Sequence, residues 1–331
     1  MADPVLIVII ALAIGFGLVN GFNDAANAVA ASIGSRALSP LQAILLAAGS
    51  NAAGAATGTA VAITIGKGIL APEAISFHTI IAGLSAVIIW GSIATRYGLP
   101  VSITHGFVSG LGGAGAYVGG IGAINWSVMR RVLISVVSAP ALGFVGGFGI
   151  MLAILWSLRD RAPTRLRIIF GRLQWLTTGF LAYSHGKNDG QMPIGVITMA
   201  LVAQSGNAAL WDNIPVWVIA ASAASISIGT AVGGWRVIKT MGVKITALDT
   251  PQSFTADIAA ATVIEGASEL GIPVSTTHCS SAAIMGVGAT RRLSAVRWGV
   301  ARRIVAAWVL TFPICGGIGY LVAMLSHPYY A

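Results

Sequence analysis

The sequence predicts an all-α polytopic membrane protein made of two inverted-topology repeats, with about ten to twelve membrane elements, some of them broken or re-entrant half-helices. Three observations predict it. The 331 residues are 56% hydrophobic and only 9% charged, with a mean hydropathy of +0.85, whereas soluble domains carry about 25% charged residues. The charges cluster in short gaps between long apolar runs. Finally, three short motifs occur twice, in the same order.

A helix needs about 20 apolar residues to cross a bilayer. Candidate spans in the first half are 5–27, 41–65, 79–95, 101–118 and 132–155. Those of the second half are 168–183 continuing to 202, 214–237, 254–270, 274–287 and 304–325. The opening Met1-Ala-Asp-Pro lacks the basic region of a secretory signal, so the run from Val5 to Val19 is expected to stay as a membrane helix. Gly makes up 42 residues, in keeping with helices that pack closely or break.

The repeat is read from three matches. Gly21-Phe-Asn-Asp-Ala-Ala-Asn27 pairs with Gly186-Lys-Asn-Asp-Gly-Gln191, Gly58-Thr-Ala-Val61 with Gly229-Thr-Ala-Val232, and Gly98-Leu-Pro-Val-Ser-Ile-Thr-His105 with Gly271-Ile-Pro-Val-Ser-Thr-Thr-His278. The offsets are 165, 171 and 173 residues, too constant for chance. Residues 1–158 form the first repeat, 159–172 an Arg-rich cytoplasmic linker and 173–331 the second repeat.

The formal charge of +9 does not point to nucleic acid. Arg130 and Arg131, the Arg residues of 159–172, Arg236, Lys239 and Lys244, and Arg291, Arg292, Arg297, Arg302 and Arg303 all sit beside apolar runs. This is the pattern that holds Lys and Arg on the cytoplasmic side. It places a multi-pass protein in the cell membrane, in contact with lipid, with both termini outside. Five crossings per half then make the halves oppositely oriented. That arrangement implies a secondary transporter with its site at the midplane. Cys279 and Cys315 lie in apolar surroundings and imply neither disulfide framework nor metal cluster.

Asn23, Asp24, Asn27, Asn188 and Asp189 are the candidate cation ligands. A carboxylate near the membrane centre costs roughly 2.5–3.5 kcal/mol on insertion scales, and is tolerated where it faces a cavity or a partner. Gly21 and Gly186 would let the backbone bend or unwind beside them. Asn and Asp oxygens beside freed carbonyls suit Na⁺, with Asn23, Asp24, Asn188 and Asp189 as the metal set; an Asp can instead carry H⁺. The bland alternative is an Asx cap at a membrane boundary. No resident cofactor is expected, only a coupling ion.

Pro100-Val-Ser-Ile-Thr-His105 and Pro273-Val-Ser-Thr-Thr-His278 each open a half-helix, with Pro in its first turn and hydroxyls at its free amides. Such an end can hold an anion without a full positive charge. Ser102, Thr104, Ser275, Thr276 and Thr277 are the expected donors, with Gln191 a partner for the anion or for Asp189. The bland alternative is simple capping. His105, His278 and His185 either donate, titrate or satisfy a carbonyl. Lys187, whose counterpart is Phe22, would pair with Asp189, meet the anion or snorkel. Ser50 and Asn51 are candidate cavity-lining groups, and Gly58 marks either packing or function. Glu265 has no acidic counterpart and is either a coupling group or near the surface.

These stretches resemble the inorganic phosphate transporter family. The likeness rests on Gly21-Phe-Asn-Asp-Ala-Ala-Asn-Ala-Val29, Gly186-Lys-Asn-Asp189, the two Pro-Val-Ser-x-Thr-His stretches and Gly234-Trp-Arg-Val-Ile-Lys-Thr-Met-Gly242, and it covers almost the whole chain. It implies a symporter of inorganic phosphate with Na⁺ or H⁺, usually a homodimer, whose site is formed by both repeats. By matching position the cation ligands are Asn23, Asp24, Asn27, Asn188 and Asp189, and the phosphate hydroxyls Ser102, Thr104, Ser275, Thr276 and Thr277. Ile103, Asn51 and Lys187 depart from the family pattern. A sulfate or other oxyanion permease of the same fold is the nearest rival. An intramembrane aspartyl enzyme using Asp24 and Asp189 leaves the paired hydroxyl turns without a role, and a passive channel would show flux without coupling.

Overall fold

The computed structural model of the chain describes residues 3–330, with side chains through Ser326. Among the described residues there are thirteen α-helices and no β-strand.

Helix starts follow local capping chemistry. Asp3 accepts the Val5 amide to open α1 (Pro4–Gly34), and Ser39 forms a capping box with Gln42 at α2 (Pro40–Ala55). α2 breaks before α3 (Ala60–Gly68), and the two axes meet at 66°. Ser76 and Thr79 form the same box at α4 (Phe77–Tyr97), which Gly98 ends in the left-handed region at φ 68°. α5 (Ile103–Gly119) and α6 (Trp126–Ser157) complete the first half.

α7 (Pro163–Asp189) begins inside the Arg-rich stretch, so Arg165, Arg167 and Arg172 lie on a helix and the connection from α6 is shorter than the expected 159–172 linker. α8 (Gln191–Ser205) follows after one residue. α9 (Val216–Val232) bends by 60° into α10 (Trp235–Lys239), which a π-helical turn prolongs to Lys244. An Asp249–Gln252 capping box opens α11 (Thr250–Glu269). α12 (Thr276–Ala289) and α13 (Trp298–Tyr330) end the chain.

Four helices, α1, α4, α6 and α13, are long and apolar enough to cross a membrane alone, and the two bent pairs raise the number to six. α12 needs less apolar length because protein rather than lipid covers it. α12 is buried at every residue, behind α6 and α11. Leu133, Ile134, Val137, Leu142 and Val145 of α6 and Val309, Leu310 and Leu321 of α13 instead face outward, as lipid contact requires.

Two apolar clusters lie on either side of the polar centre. One gathers Phe16, Ile65, Ile80, Phe107 and Met192; the other Val29, Leu181, Met241, Ile264 and Ile284. Gly21 and Gly186 do not unwind their helices, since α1 and α7 run on through both motifs. They mark crossings. A Cβ on Gly21 would strike the Ile226 carbonyl of α9, and one on Gly186 the Asn51 carbonyl of α2. The expectation of an unwound backbone there is therefore corrected: small residues let two backbones touch, which fixes the adjacent Asn and Asp side chains.

α11, about 30 Å long at 1.5 Å per residue, defines two ends of the molecule. At its start Asp249 pairs with Arg291, and Arg297 nearby binds the carbonyls of Val243 and Lys244. Lys244 in turn lines a pocket with Gly98, Pro100 and Arg303. At the other end Gly271 lies against Ala60 and Thr64, and Leu270 and Ile272 share a pocket with Arg131. The Gly98 and Gly271 turns therefore lie at opposite ends. Arg130 and Arg131 fall at the Gly271 end, away from the other basic clusters with which the sequence grouped them.

Candidate functional site

Two aspartates meet at the centre of the bundle, one from each half. Asp24 comes from α1 and Asp189 from the last turn of α7, both buried. The Pro-Val-Ser turns deliver hydroxyls to them crosswise. Thr277 at the start of α12 donates to Asp24 Oδ1 at 3.0 Å, and Thr104 at the start of α5 donates to Asp189 Oδ1 at 2.9 Å. Thr276 adds a bond to Asp189 Oδ2 at 2.8 Å. Asn27 Nδ2 donates to Thr276 and Thr277 at 3.1 and 2.9 Å. Asn188 Nδ2 reaches Asp189 Oδ1 and the Val274 carbonyl, both at 2.8 Å. Asp24 and Asn27 of α1, Asn188 and Asp189 of α7, Thr104 of α5 and Thr276 and Thr277 of α12 thus form one connected network, while Asn23 bonds Thr95 and Ser102 and Ser275 serve as caps.

The network has open valences. Asn20 Oδ1, Asn23 Oδ1 and Asn27 Oδ1 are buried and accept no hydrogen bond. A buried amide oxygen without a donor costs roughly 1–3 kcal/mol, so three on one helix face beside a carboxylate suit a hard cation. Asn23 Nδ2 is held by Thr95 Oγ1 at 2.5 Å, which turns its oxygen away from that helix.

Ser102 and Ser275 accept the amides of His105 and His278 at 3.1 Å, so each acts first as a cap and keeps only its own proton to donate. Pro100 and Pro273 precede these caps instead of occupying the first turn. The first amides of α5 and α12, which have no intrahelical acceptor, sit beside the threonine hydroxyls. Such paired helix starts can bind an anion.

Sequence reasoning underrated His185. It lies four residues before Asp189 on one helix face, and its Nε2 is 3.1 Å from Asp189 Oδ2 and 3.8 Å from Asp24 Oδ2. Its Nδ1 meets Asn51 Oδ1 at 2.8 Å, and Asn51 Nδ2 donates to Thr230. The spacing of His185 and Asp189 was the available signal. Ligand atoms of Asp24, His185 and Asp189 fall within 4.8 Å of one another.

One expectation is corrected, and the alternatives left for Lys187, His105 and His278 narrow. Gln191 meets neither Asp189 nor the anion turns: its Oε1 accepts the Val61 and Ala62 amides at 2.9 and 3.2 Å and so caps α3. Lys187 turns from Asp189 to Glu265 and Glu269 of α11. His105 and His278 pack edge to face at 5.0 Å, between Phe312 and Trp308. A packing role is what their aromatic neighbours support.

The phosphate transporter family matches residues 20–319 of this chain. The chain is 39% identical to a probable low-affinity inorganic phosphate transporter of Bacillus subtilis, over 98% of this chain and 97% of that one. It is 38% identical to a protein of the same description from Rhizobium meliloti, over 97% and 96% of the two chains. Among solved structures it resembles one described as the sodium-dependent phosphate transporter, at 28% identity and a TM-score of 0.83, over 98% of this chain and 99% of that one.

Proposed function

Since the chain belongs to the phosphate transporter family, as a multi-pass membrane transporter and not an enzyme, we propose that it carries inorganic phosphate together with Na⁺ by alternating access around the Asp24–Asp189 centre. The observation that carries this reading is the crosswise bonding of each half's aspartate to the other half's helix-start threonine. It joins polar groups of both halves in a single buried hydrogen-bonded centre.

In this mechanism Na⁺ takes the unpartnered oxygens of Asn23 and Asn27 with Asp24 and Asp189 carboxylate oxygens. Phosphate takes the hydroxyls of Ser102, Thr104, Ser275, Thr276 and Thr277 and the adjacent helix-start amides. Each ion lowers the cost of burying the other, because opposite charges in a low-dielectric chamber attract far more strongly than in water. That mutual dependence is symport. The two halves, residues 1–158 and 173–331, act as inverted repeats, the basic Asp249 end of α11 faces the cytoplasm of a cell membrane, and the assembly is a homodimer. His185, set between the two carboxylates, favours H⁺ as the alternative coupling ion.

Uptake of labelled phosphate into proteoliposomes at fixed pH, with and without a Na⁺ gradient, tests the proposal. Na⁺-dependent accumulation is expected. Accumulation driven by a pH gradient without Na⁺ would assign the coupling to H⁺, and accumulation of sulfate that blocks phosphate would overturn the substrate.

A further inference from the structure

The two turns that carry the anion donors are not dressed alike, and the difference lies along the routes to the site. Aligned through the paired motifs, Phe22, Ser92, Thr95 and Arg96 correspond to Lys187, Glu265, Ser268 and Glu269. One pair is conserved in action: Thr95 bonds Asn23 Nδ2, and Ser268 lies 3.5 Å from Asn188 Oδ1. Each lies beside an Asn of one of the Asn-Asp pairs.

The neighbours of these hydroxyls differ. Phe22, Thr95, Arg96, Gly234 and Arg236 line a cavity of about 680 Å³ at the Gly98 end. Its lining is mainly apolar with Arg96 and Arg236 as the charged members, and Thr95 in its wall accepts a hydrogen bond from Asn23 Nδ2. At the Gly271 end the corresponding positions are shut by charge. The Lys187 side chain is only 9% exposed, and its Nζ bonds Glu265 Oε1 at 2.6 Å and also Glu269. This ties α7 to α11 immediately beyond Asn188 and Ser268. Glu269 is 66% exposed while Glu265 is 22% exposed, so the cluster runs from solvent inward to the site.

We infer that Lys187, Glu265 and Glu269 form a breakable clasp that holds the route at the Gly271 end closed, while the corresponding positions at the Gly98 end line a cavity and carry no such clasp. The inference rests on the transport reading of the central site. The clasp joins two separate helices at the positions that correspond to the lining of the cavity at the other end. It is also incompletely satisfied: Glu265 Oε2 is buried and has no partner. A half-satisfied buried network is weaker than a complete one, as suits a contact that must part in every cycle. When it parts, one lysine and two carboxylates are freed along the route of an anion and a cation.

The inference predicts reciprocal effects at the two faces. The apparent affinity at a face scales with the fraction of protein open there. Weakening the clasp raises that fraction at the Gly271 end and lowers it at the Gly98 end. Glu269→Gln and Lys187→Met are reconstituted, and half-saturating phosphate concentrations are measured separately in right-side-out and inside-out vesicles at saturating Na⁺. The expected result is a fall of about two- to tenfold at the Gly271 face with a rise at the other, both returned toward wild type in the charge-swapped pair Lys187→Glu with Glu269→Lys. Glu269→Gln keeps the test decisive if Lys187→Met fails to fold, since the Glu269 carboxylate bonds only Lys187 in the cluster. Equal changes at both faces, no change, or a rise at the Gly271 face would overturn the clasp. Failure of the wild-type protein to take up phosphate would instead overturn the function on which it rests.

Discussion

Thr104 and Thr277 hold their positions for opposite reasons at once. Each hydroxyl lies within bonding distance of a carboxylate from the other half and of a carbonyl on the partner turn, Val274 for Thr104 and Val101 for Thr277. Having one proton, a hydroxyl serves only one acceptor at a time, so its proton can move off a carboxylate as charge arrives. Valine preserves the shape and removes the proton. A hydrogen bond to a charged group contributes about 1.5–3 kcal/mol, and about 1.4 kcal/mol is tenfold in affinity. Thr277→Val and Thr104→Val are therefore expected to lower the half-saturating Na⁺ concentration by about tenfold, read from phosphate uptake against a Na⁺ titration at saturating phosphate, and to lower the melting temperature measured in detergent without Na⁺. An unchanged Na⁺ dependence would remove both hydroxyls from the cation network. The aspartates and threonines were legible as residues because polar groups in apolar runs demand partners. Gln191 was not: its proximity in sequence to Asp189 concealed that a helix break turns it toward α3.

At the scale of elements, the site depends on where helices cross. α1 crosses α9 at Gly21, and α7 crosses α2 at Gly186, in both cases with backbone against backbone. These crossings set Asn23 and Asp24, and Asn188 and Asp189, one turn further on. Overpacking a close contact costs about 1–3 kcal/mol. Gly21→Val and Gly186→Val should lower the melting temperature and abolish uptake, whereas Gly49→Ala, with nothing near its added methyl, should leave both intact. Thermal unfolding in detergent beside proteoliposome uptake measures this; a Gly186→Val protein of wild-type stability and activity would refute the crossing role. Glycine in an apolar helix announces either flexibility or contact, and the sequence could not choose. The choice is made by α2 and α9, elements remote in sequence whose carbonyls occupy the space a side chain would need.

For the whole molecule, the open question is which end faces which compartment, and the charges give the argument. Arg159, Arg161, Arg236, Lys244, Arg291 and Arg303 gather at the end where α11 begins. Lys67, Arg130 and Arg131 lie at the other, where Glu265, Glu269 and Lys187 partly neutralise one another. The apolar runs and the paired motifs made the helical bundle legible from sequence. The placing of Arg130 and Arg131 was legible in the span count as well, since four crossings return the chain to the side of its N-terminus; grouping them with the other basic clusters by charge alone concealed it. The surplus at the α11 start is the ground for proposing that this end is cytoplasmic. Single cysteines report it cleanly, since Cys279 and Cys315 are both buried and free. Gly206→Cys, exposed beyond the end of α8, is expected to react with an impermeant thiol reagent on intact cells, and Arg161→Cys, exposed between α6 and α7, only after permeabilisation. The reverse pattern would invert the molecule in the membrane. It would then place the clasp of Lys187, Glu265 and Glu269 at the cytoplasmic exit, so that the same two labelling experiments also decide which substrate pool the closed route excludes.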